Sequence, residues 1–279
     1  MGIVVLGGYL ILSHPSRIDR APNQIVPVNA PVPLSQNLFL SAVGTLQEAG
    51  SEVSSANPDW WLSSGGYFYV ASSGAASTVI GSLPVEDRWR LIYNKNNPID
   101  TDGGYHPQNI FRLTTRSQWQ NFTEQAYFLI KANNLSTSTN RNESNGLFLF
   151  NRYESAQTLY YTGVRVDGAA VIKKKIDGTY YTMATQQIFP GIYSQTSTPN
   201  LLPMNEWIGL RSIVQTNPDR SVAVSLYTDI GKTGNWQEVL SAIDDGMKYG
   251  GAPILSPGYV GIRTDFMDVE FDDFQVRTN

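Results

Sequence analysis

Residues 160–183 read YYTGVRVDGAAVIKKKIDGTYYTM. Two Asp-Gly pairs, Asp167-Gly168 and Asp177-Gly178, interrupt runs rich in Tyr, Val, Ile and Thr. Asp-Gly between such runs is the strongest short-range hairpin signal, so the stretch predicts a three-stranded antiparallel meander. With a two-residue turn at each pair, Arg165 opposes Ala170, Val164 opposes Val171 and Tyr161 opposes Lys174 across the first. Across the second, Lys175 opposes Tyr180, Lys174 opposes Tyr181 and Ile172 opposes Met183. Directly opposed residues share a face. One face is then expected to carry Tyr161, Gly163, Arg165, Ile172, Lys174, Tyr181 and Met183. The other carries Tyr160, Val164, Val166, Val171, Lys173, Lys175 and Tyr180, and its valines assign it to the core. Period two thus splits the lysine triplet. Lys174 is expected on an open face beside Tyr161, Tyr181 and Arg165, with Lys173 and Lys175 reaching the opposite rim on their apolar stems.

The same grammar continues in both directions. From about residue 38 onward the chain is a series of short runs such as GGYFYVASS, NIFRLTTR, FTEQAYFLIKA, NGLFLFNRY, SVAVSLYTD and VEFDDFQVRT, separated by Gly, Asn, Asp or Pro clusters. LFLSAVGTLQEAGSEV and WQEVLSAIDDG are the two stretches expected to be helical. About ten or more strands joined by short turns predict an all-β fold, a two-sheet antiparallel β-sandwich of the jelly-roll kind. No repeat of fixed period points to a propeller.

Composition bounds the function. The 279 residues are 41% hydrophobic, enough for one large core. With 15 Tyr and 6 Trp, the chain has the ring surface that sheet faces and sugar- or protein-binding faces use. The net charge of −4 offers no global basic footprint, which argues against nucleic acid as a partner. The absence of Cys excludes disulfides, thiolate metal sites and a Cys nucleophile. His14 and His106 are the only histidines, so a His-rich zinc site is excluded and a Ser-His-Asp triad could draw only on His106.

The first 13 residues, MGIVVLGGYLILS, are continuously apolar but too short to span a bilayer, which takes about 20 residues. They are expected to be the remnant of a membrane anchor or signal segment that starts upstream of Met1. Residues 14–37 carry Pro15, Pro22, Pro27, Pro31 and Pro33, the spacing of an extended linker. Apolar segment, Pro-rich linker and a β-domain over 38–279 make the layout of a surface-tethered module. The expected location is extracellular or at the cell surface, bacterial, secreted or membrane-tethered.

The ending GYVGIRTDFMDVEFDDFQVRTN, together with WQNFTEQAYFLIKA, GLFLFNRYE, LYYTGVRVDG, VIKKKIDGTYYTMA and NEWIGLRSIV, resembles the concanavalin A-like lectin/glucanase superfamily. More narrowly it looks like laminin-G-type jelly rolls and the sandwich domains of polysaccharide-degrading systems. The resemblance covers roughly residues 58–279 and implies a fold, which in this superfamily hosts lectins, hydrolases, lyases and adhesion modules alike. The catalytic patterns of its enzymes are not reproduced. Family-16 glucanases carry Glu-x-Asp-x-x-Glu. Here Glu270-Phe271-Asp272-Asp273-Phe274-Gln275 lacks the second glutamate, and a retaining hydrolase needs a carboxylate pair. The alginate-lyase strands Gln-Ile-His and Lys-Ala-Gly-x-Tyr-x-Gln find only QIF at 187–189 and GIYSQ at 191–195.

The function expected from these residues is recognition of a polysaccharide on a sheet face lined by Tyr and basic side chains. Aromatic faces stack on sugar C–H surfaces, and arginine pairs with carboxylate or sulfate. The alternative is a polysaccharide lyase acting on a uronate glycan such as alginate or glucuronan. His106, Tyr161 and Arg165 would then be the catalytic candidates, with His106 or a tyrosine as base. Gln108, Arg112, Arg152, Tyr153, Lys174 and Tyr181 are the substrate-binding candidates. A structural or adhesive surface protein without a glycan ligand is the third reading. Asp100 and Asp102 could hold a structural calcium or simply form an Asp-rich turn. The polar loop 136–146 is expected to border the face, and one of Asp272 and Asp273, which alternate faces, to cap backbone amides. Asn121, Asn134 and Asn142 begin N-glycosylation triplets.

Overall fold

The computed structural model describes residues 37–279, so the apolar segment 1–13 and all but the last residue of the linker 14–37 lie outside the described residues. Fifteen strands follow in order: β1 (Gly44–Gln47), β2 (Trp60–Ser64), β3 (Tyr67–Val70), β4 (Ala76–Ser77), β5 (Ile110–Trp119), β6 (Phe122–Asn133), β7 (Gly146–Ser155), β8 (Thr158–Arg165), β9 (Ala169–Ile176), β10 (Thr179–Gln187), β11 (Trp207–Thr216), β12 (Val222–Ile230), β13 (Gln237–Asp244), β14 (Gly258–Asp265) and β15 (Met267–Thr278). They form two antiparallel sheets. One has eight strands in the order β1-β3-β4-β15-β6-β11-β12-β13, the other seven in the order β10-β9-β8-β7-β14-β5-β2. This is the expected two-sheet β-sandwich.

The core lies between the sheets because alternate residues of each strand turn inward. Phe39, Trp60, Phe68, Phe111, Phe128, Phe271 and Phe274 are buried there in one aromatic cluster. Phe39 meets Phe68 at 5.3 Å, and Phe274 meets Trp60 edge-on at 5.0 Å. Tilted and edge-on rings are the favourable arrangements for such pairs.

Both helical expectations are corrected. In the first stretch only Leu38–Ala42 turns, as a short 3₁₀ helix, before β1 begins. In the second, residues 237–244 are strand β13, paired along β12 with Leu240 and Asp244 buried. Tertiary pairing overrides a weak local helical period there. The one α-helix among the described residues, α1 (Arg88–Asn96), lies elsewhere. The Asp87 carboxylate caps it by accepting from the amides of Trp89 and Arg90, and Trp89 and Tyr93 face a small cluster with Val79 and Leu83.

The meander over 158–187 is present, but its first turn corrects the expected register. Asp177 and Gly178 both take positive φ, 47° and 82°, and make the two-residue turn predicted, with Lys175 opposite Tyr180 and Lys174 opposite Tyr181. At the first turn only Gly168 has positive φ (83°), and its amide donates to the Arg165 carbonyl at 2.9 Å. This is a three-residue loop, Val166-Asp167-Gly168, a type I turn closed by a left-handed glycine. The pairing across it therefore moves by one residue: Val164 faces Ala170, Tyr161 faces Lys173 and Tyr160 faces Lys174. A bulge after Thr182 also places Ala184, not Met183, opposite Ile172. A one-residue slip exchanges faces. Lys174 points into the sandwich with Tyr160 and Ile172, and Lys173 shares the outer face with Tyr161.

Candidate functional site: a cationic cleft on the seven-stranded sheet

The outer face of the seven-stranded sheet is built by the alternate residues that the core does not use. Phe148 and Phe150 on β7, Leu159 and Tyr161 on β8, and Val171 on β9 form a second buried cluster with Tyr153, flanked by Trp61 and Tyr259. Strand β7 is consequently buried on both sides over its first eight residues. Above this apolar floor lie two adjoining hollows of about 210 and 400 Å³ that share Arg112, Tyr161, Tyr180 and Arg263. They form one cleft. Phe150, Tyr153 and Leu159 line its apolar end. Asn140, Asn142, Ser144 and Asn145, from the loop expected to border the face, line its polar end together with Lys173.

At the waist of the cleft Arg263 on β14 sits directly opposite Arg112 on β5. Like charges in that position oppose pairing. Asp265 partly offsets them, accepting from Arg263 Nε at 2.9 Å. Burial works against the charged form of Arg263, but the Asp265 carboxylate outweighs it and pushes the guanidinium above its ordinary value. For Arg112 the Asp265 charge is outweighed. Burial and then Arg263 both hold it below its ordinary value, and its guanidinium meets no acceptor among the described residues. Lys173 is likewise unpaired among them, and burial followed by Arg165 lowers it.

Two tyrosines face these cations. The rings of Tyr161 and Tyr180 lie 6.0 Å apart, edge to face. Burial pushes the Tyr161 phenol up, well above its ordinary range. Burial alone would do the same to Tyr180. The charges of Arg263, Lys175 and Arg112 together outweigh it and bring its phenol below the ordinary 10.0. Lys175 Nζ lies 4.5 Å from the Tyr180 ring centre. Two phenols 6 Å apart are therefore pushed in opposite directions, the pattern that separates acid from base in a site.

The residues singled out from sequence divide into three groups. Arg112, Tyr153 and Tyr161 line the cleft. Arg165 lies on the same face at the end of β8, tied to Asp167 and, at 3.1 Å, to the Glu143 carbonyl. The rest lie elsewhere. Lys174 is fully buried, its ammonium 2.8 Å from Asp244 and donating to the carbonyls of Gly251 and Ala252. Tyr181 packs on that inner side against Gly250. Arg152 follows a break in the β7–β8 register, which turns it from the cleft into the interior. It donates there to Gln120 O, Ile254 O, Asn121 Oδ1 and Thr216 Oγ1. Gln108 is buried and donates to Gly81 O and Asp268 Oδ1. His106 is held between Asp102 at 2.9 Å and Ser82 at 3.0 Å, and it lines neither hollow.

Asp100 and Asp102 spend their carboxylates on neighbouring donors. Asp100 takes Ser138 Oγ, Asn140 Nδ2 and Asn97 Nδ2, and Asp102 takes His106 and Asn109. Asp272 and Asp273 both pair with Lys232. Of the three glycosylation triplets, Asn121 and Asn134 are engaged with Arg152 and Asp268, and Asn142 sits on the cleft wall. Sequence reasoning passed over Arg263, Tyr180 and Lys173. The signal for Arg263 was available: GYVGIRT and NIFRLTT each place one arginine in an otherwise apolar strand.

No protein-family model matches the chain, and no curated protein matches it. Among solved structures it is similar to the carbohydrate-binding module CBM66 from Bacillus subtilis, with 11% identity over 78% of this chain and 95% of that one, at a TM-score of 0.46. It is also similar to the marine PL-14 alginate lyase from Aplysia kurodai, with 11% identity over 85% and 99%, at 0.39. A third likeness is to the Bacillus licheniformis β-glucanase, with 8% identity over 85% and 98%, at 0.40. At such low identity the likeness is one of architecture alone.

Proposed function

We propose that the cleft binds an acidic polysaccharide, a glycan bearing carboxylate or sulfate groups. The observation that carries this reading is the opposed pair Arg112–Arg263, in which one guanidinium is half-buried without an acceptor. Leaving a desolvated cation unpaired is costly, and an anion bound bidentately would relieve it. The phenyl and phenol surface of Phe150, Tyr153 and Tyr161 supports sugar rings beside that anion. Lys173 and Lys175 on β9 offer further charges along the cleft. The apolar stretch 1–13 and the prolines of 14–37 support placing this module outside the cell, tethered or secreted.

Titration calorimetry with alginate, polygalacturonate and chondroitin sulfate tests the reading. At least one polymer is expected to bind, more weakly as salt rises. Arg112→Ala and Arg263→Ala should each weaken binding by about tenfold or more. Absence of binding to all three, or binding indifferent to both substitutions, would overturn it.

The depressed Tyr180 phenol favours a second reading, β-elimination on a uronate. The arginine pair would neutralise the carboxylate and acidify the adjacent C–H. The Tyr180 phenolate would take that proton, the electron pair would form a carbon–carbon double bond, and the glycosidic C–O bond would break. Tyr161, which keeps its proton, would give it to the departing sugar oxygen. The product is unsaturated, so its ultraviolet absorbance reports the reaction. The rate should climb with pH until Tyr180 is ionised, below the ordinary 10.0, and Tyr180→Phe should abolish it. A flat absorbance trace on every polymer that binds leaves binding alone as the function.

A further inference from the structure

The outer face of the eight-stranded sheet holds a second arrangement that the cleft does not explain. Ladder register places Tyr69 opposite Ser77, Ser77 opposite Glu270, Glu270 opposite Leu129 and Leu129 opposite Trp207. The inward neighbours of these residues, Val70, Ala76, Phe271, Phe128 and Ile208, are core. All five therefore project outward in one row crossing β3, β4, β15, β6 and β11. At about 4.8 Å per strand the row is roughly 19 Å long, with an aromatic ring at each end and a carboxylate at its middle. Tyr69 and Trp207 line one hollow of about 320 Å³ whose floor includes Ser77 and Glu270. Tyr67 stacks on one face of Tyr69 at 5.8 Å, and Lys232 lies over the Trp207 ring, 5.2 Å from its centre, so each ring is held by a neighbour.

We infer that this row is a second glycan-binding surface, and that its ligand is a neutral sugar chain. Two ring platforms offer the apolar contact that pyranose C–H faces need, and the acid between them accepts from hydroxyl groups. Charge selects between ligand classes. The central group is Glu270, whose Oε1 makes a long, half-exposed ion pair of 3.8 Å with Lys131, which leaves the second carboxylate oxygen to accept from sugar hydroxyls and to disfavour an added carboxylate or sulfate. The seven-stranded sheet does the reverse with Arg112 and Arg263. The two faces of the sandwich therefore suit chemically different sugars, and the inference stands independently of the cleft.

Native gel electrophoresis of the full chain through laminarin, xylan, galactomannan and hydroxyethylcellulose tests it. At least one of these neutral polymers should retard the protein. Tyr69→Ala and Trp207→Ala should each weaken that retardation by about tenfold. Tyr69→Phe and Trp207→Phe, which keep the rings, should retain most of it and separate lost contact from lost fold. Retardation by none of the four polymers overturns the inference, as does retardation undiminished in both alanine variants. Dimerisation abolished by both alanine variants without any neutral glycan effect would assign the row to a second copy of the chain and overturn it equally. Binding of acidic polymers, measured on the same variants, shows separately whether the cleft reading stands.

Discussion

Two arginines and two lysines divide along the plane of the seven-stranded sheet. On its inner side, Arg152 donates to four oxygens and Lys174 to three, including Asp244. On its outer side, Arg112 and Lys173 meet no acceptor among the described residues, although both are partly buried. Chemically like groups, some of them neighbours in sequence, are thus treated in opposite ways. A cation whose donors are all used has a structural role, because nothing remains to offer a ligand. A partly buried cation with free donors is left to water and can turn those donors to a bound anion. The difference separates scaffold from site more sharply than residue type or location in a motif does.

The largest test falls on the inner side. Asp244 accepts from Lys174 and from the Tyr160 hydroxyl at 2.6 Å, and the Lys174 ammonium pins the carbonyls of Gly251 and Ala252. Lys174→Ala leaves an unpaired carboxylate in the interior, so chemical denaturation should show a loss of about 3–5 kcal/mol. A loss under about 1 kcal/mol would break the comparison. The two arginines supply the next contrast. Arg152→Ala strands buried acceptors and should cost about 3 kcal/mol. Arg112→Ala removes a like-charge neighbour of Arg263 and should change stability by no more than about 0.5 kcal/mol in either direction. Equal losses at the two positions would mean that Arg112 also holds the fold.

This contrast was only half legible in the sequence. The meander could be read from its two Asp-Gly pairs, and the two-sheet sandwich from the density of short β-runs. The first turn could not, because Asp-Gly serves a two-residue turn with both φ positive and equally a three-residue loop with only glycine left-handed. Hydrophobic alternation normally settles such a choice. Here it was silent, since β8 and the first half of β9 are buried on both faces. The buried position of Lys174 runs against every composition rule and follows only from Asp244, 70 residues further on, curling beneath it. Arg152 is a substrate-binding candidate in the sequence, whereas a positive φ of 46° turns it inward. Tyr161 keeps its expected outer face because the corrected register moves β9 along β8 and does not turn β8 itself. Arg263 escaped notice because a single arginine in a strand has no partner until register supplies one.

An acid extends the comparison and gives its smallest and most diagnostic test. Glu124 lies fully buried on the inner face of β6. One carboxyl oxygen accepts from Asn151, the other has no partner, and no cation approaches. Burial therefore raises its pKa well above the ordinary 4.5, whereas Asp244 has the Lys174 ammonium 2.8 Å away. The sign follows from proton counting. Between the ordinary value and the raised folded one the unfolded chain has released this proton and the folded chain has not, so stability falls as pH rises from about 4.5 toward the folded value. Glu124→Gln keeps the bond from Asn151 and removes the titration. The variant should equal the parent near pH 4 and exceed it increasingly toward pH 8 in parallel denaturation curves. A parent whose stability is instead lost on acidification, with the glutamine variant matching it at every pH, would show that Glu124 is ionised inside the sandwich and that burial without a partner does not decide charge in this fold.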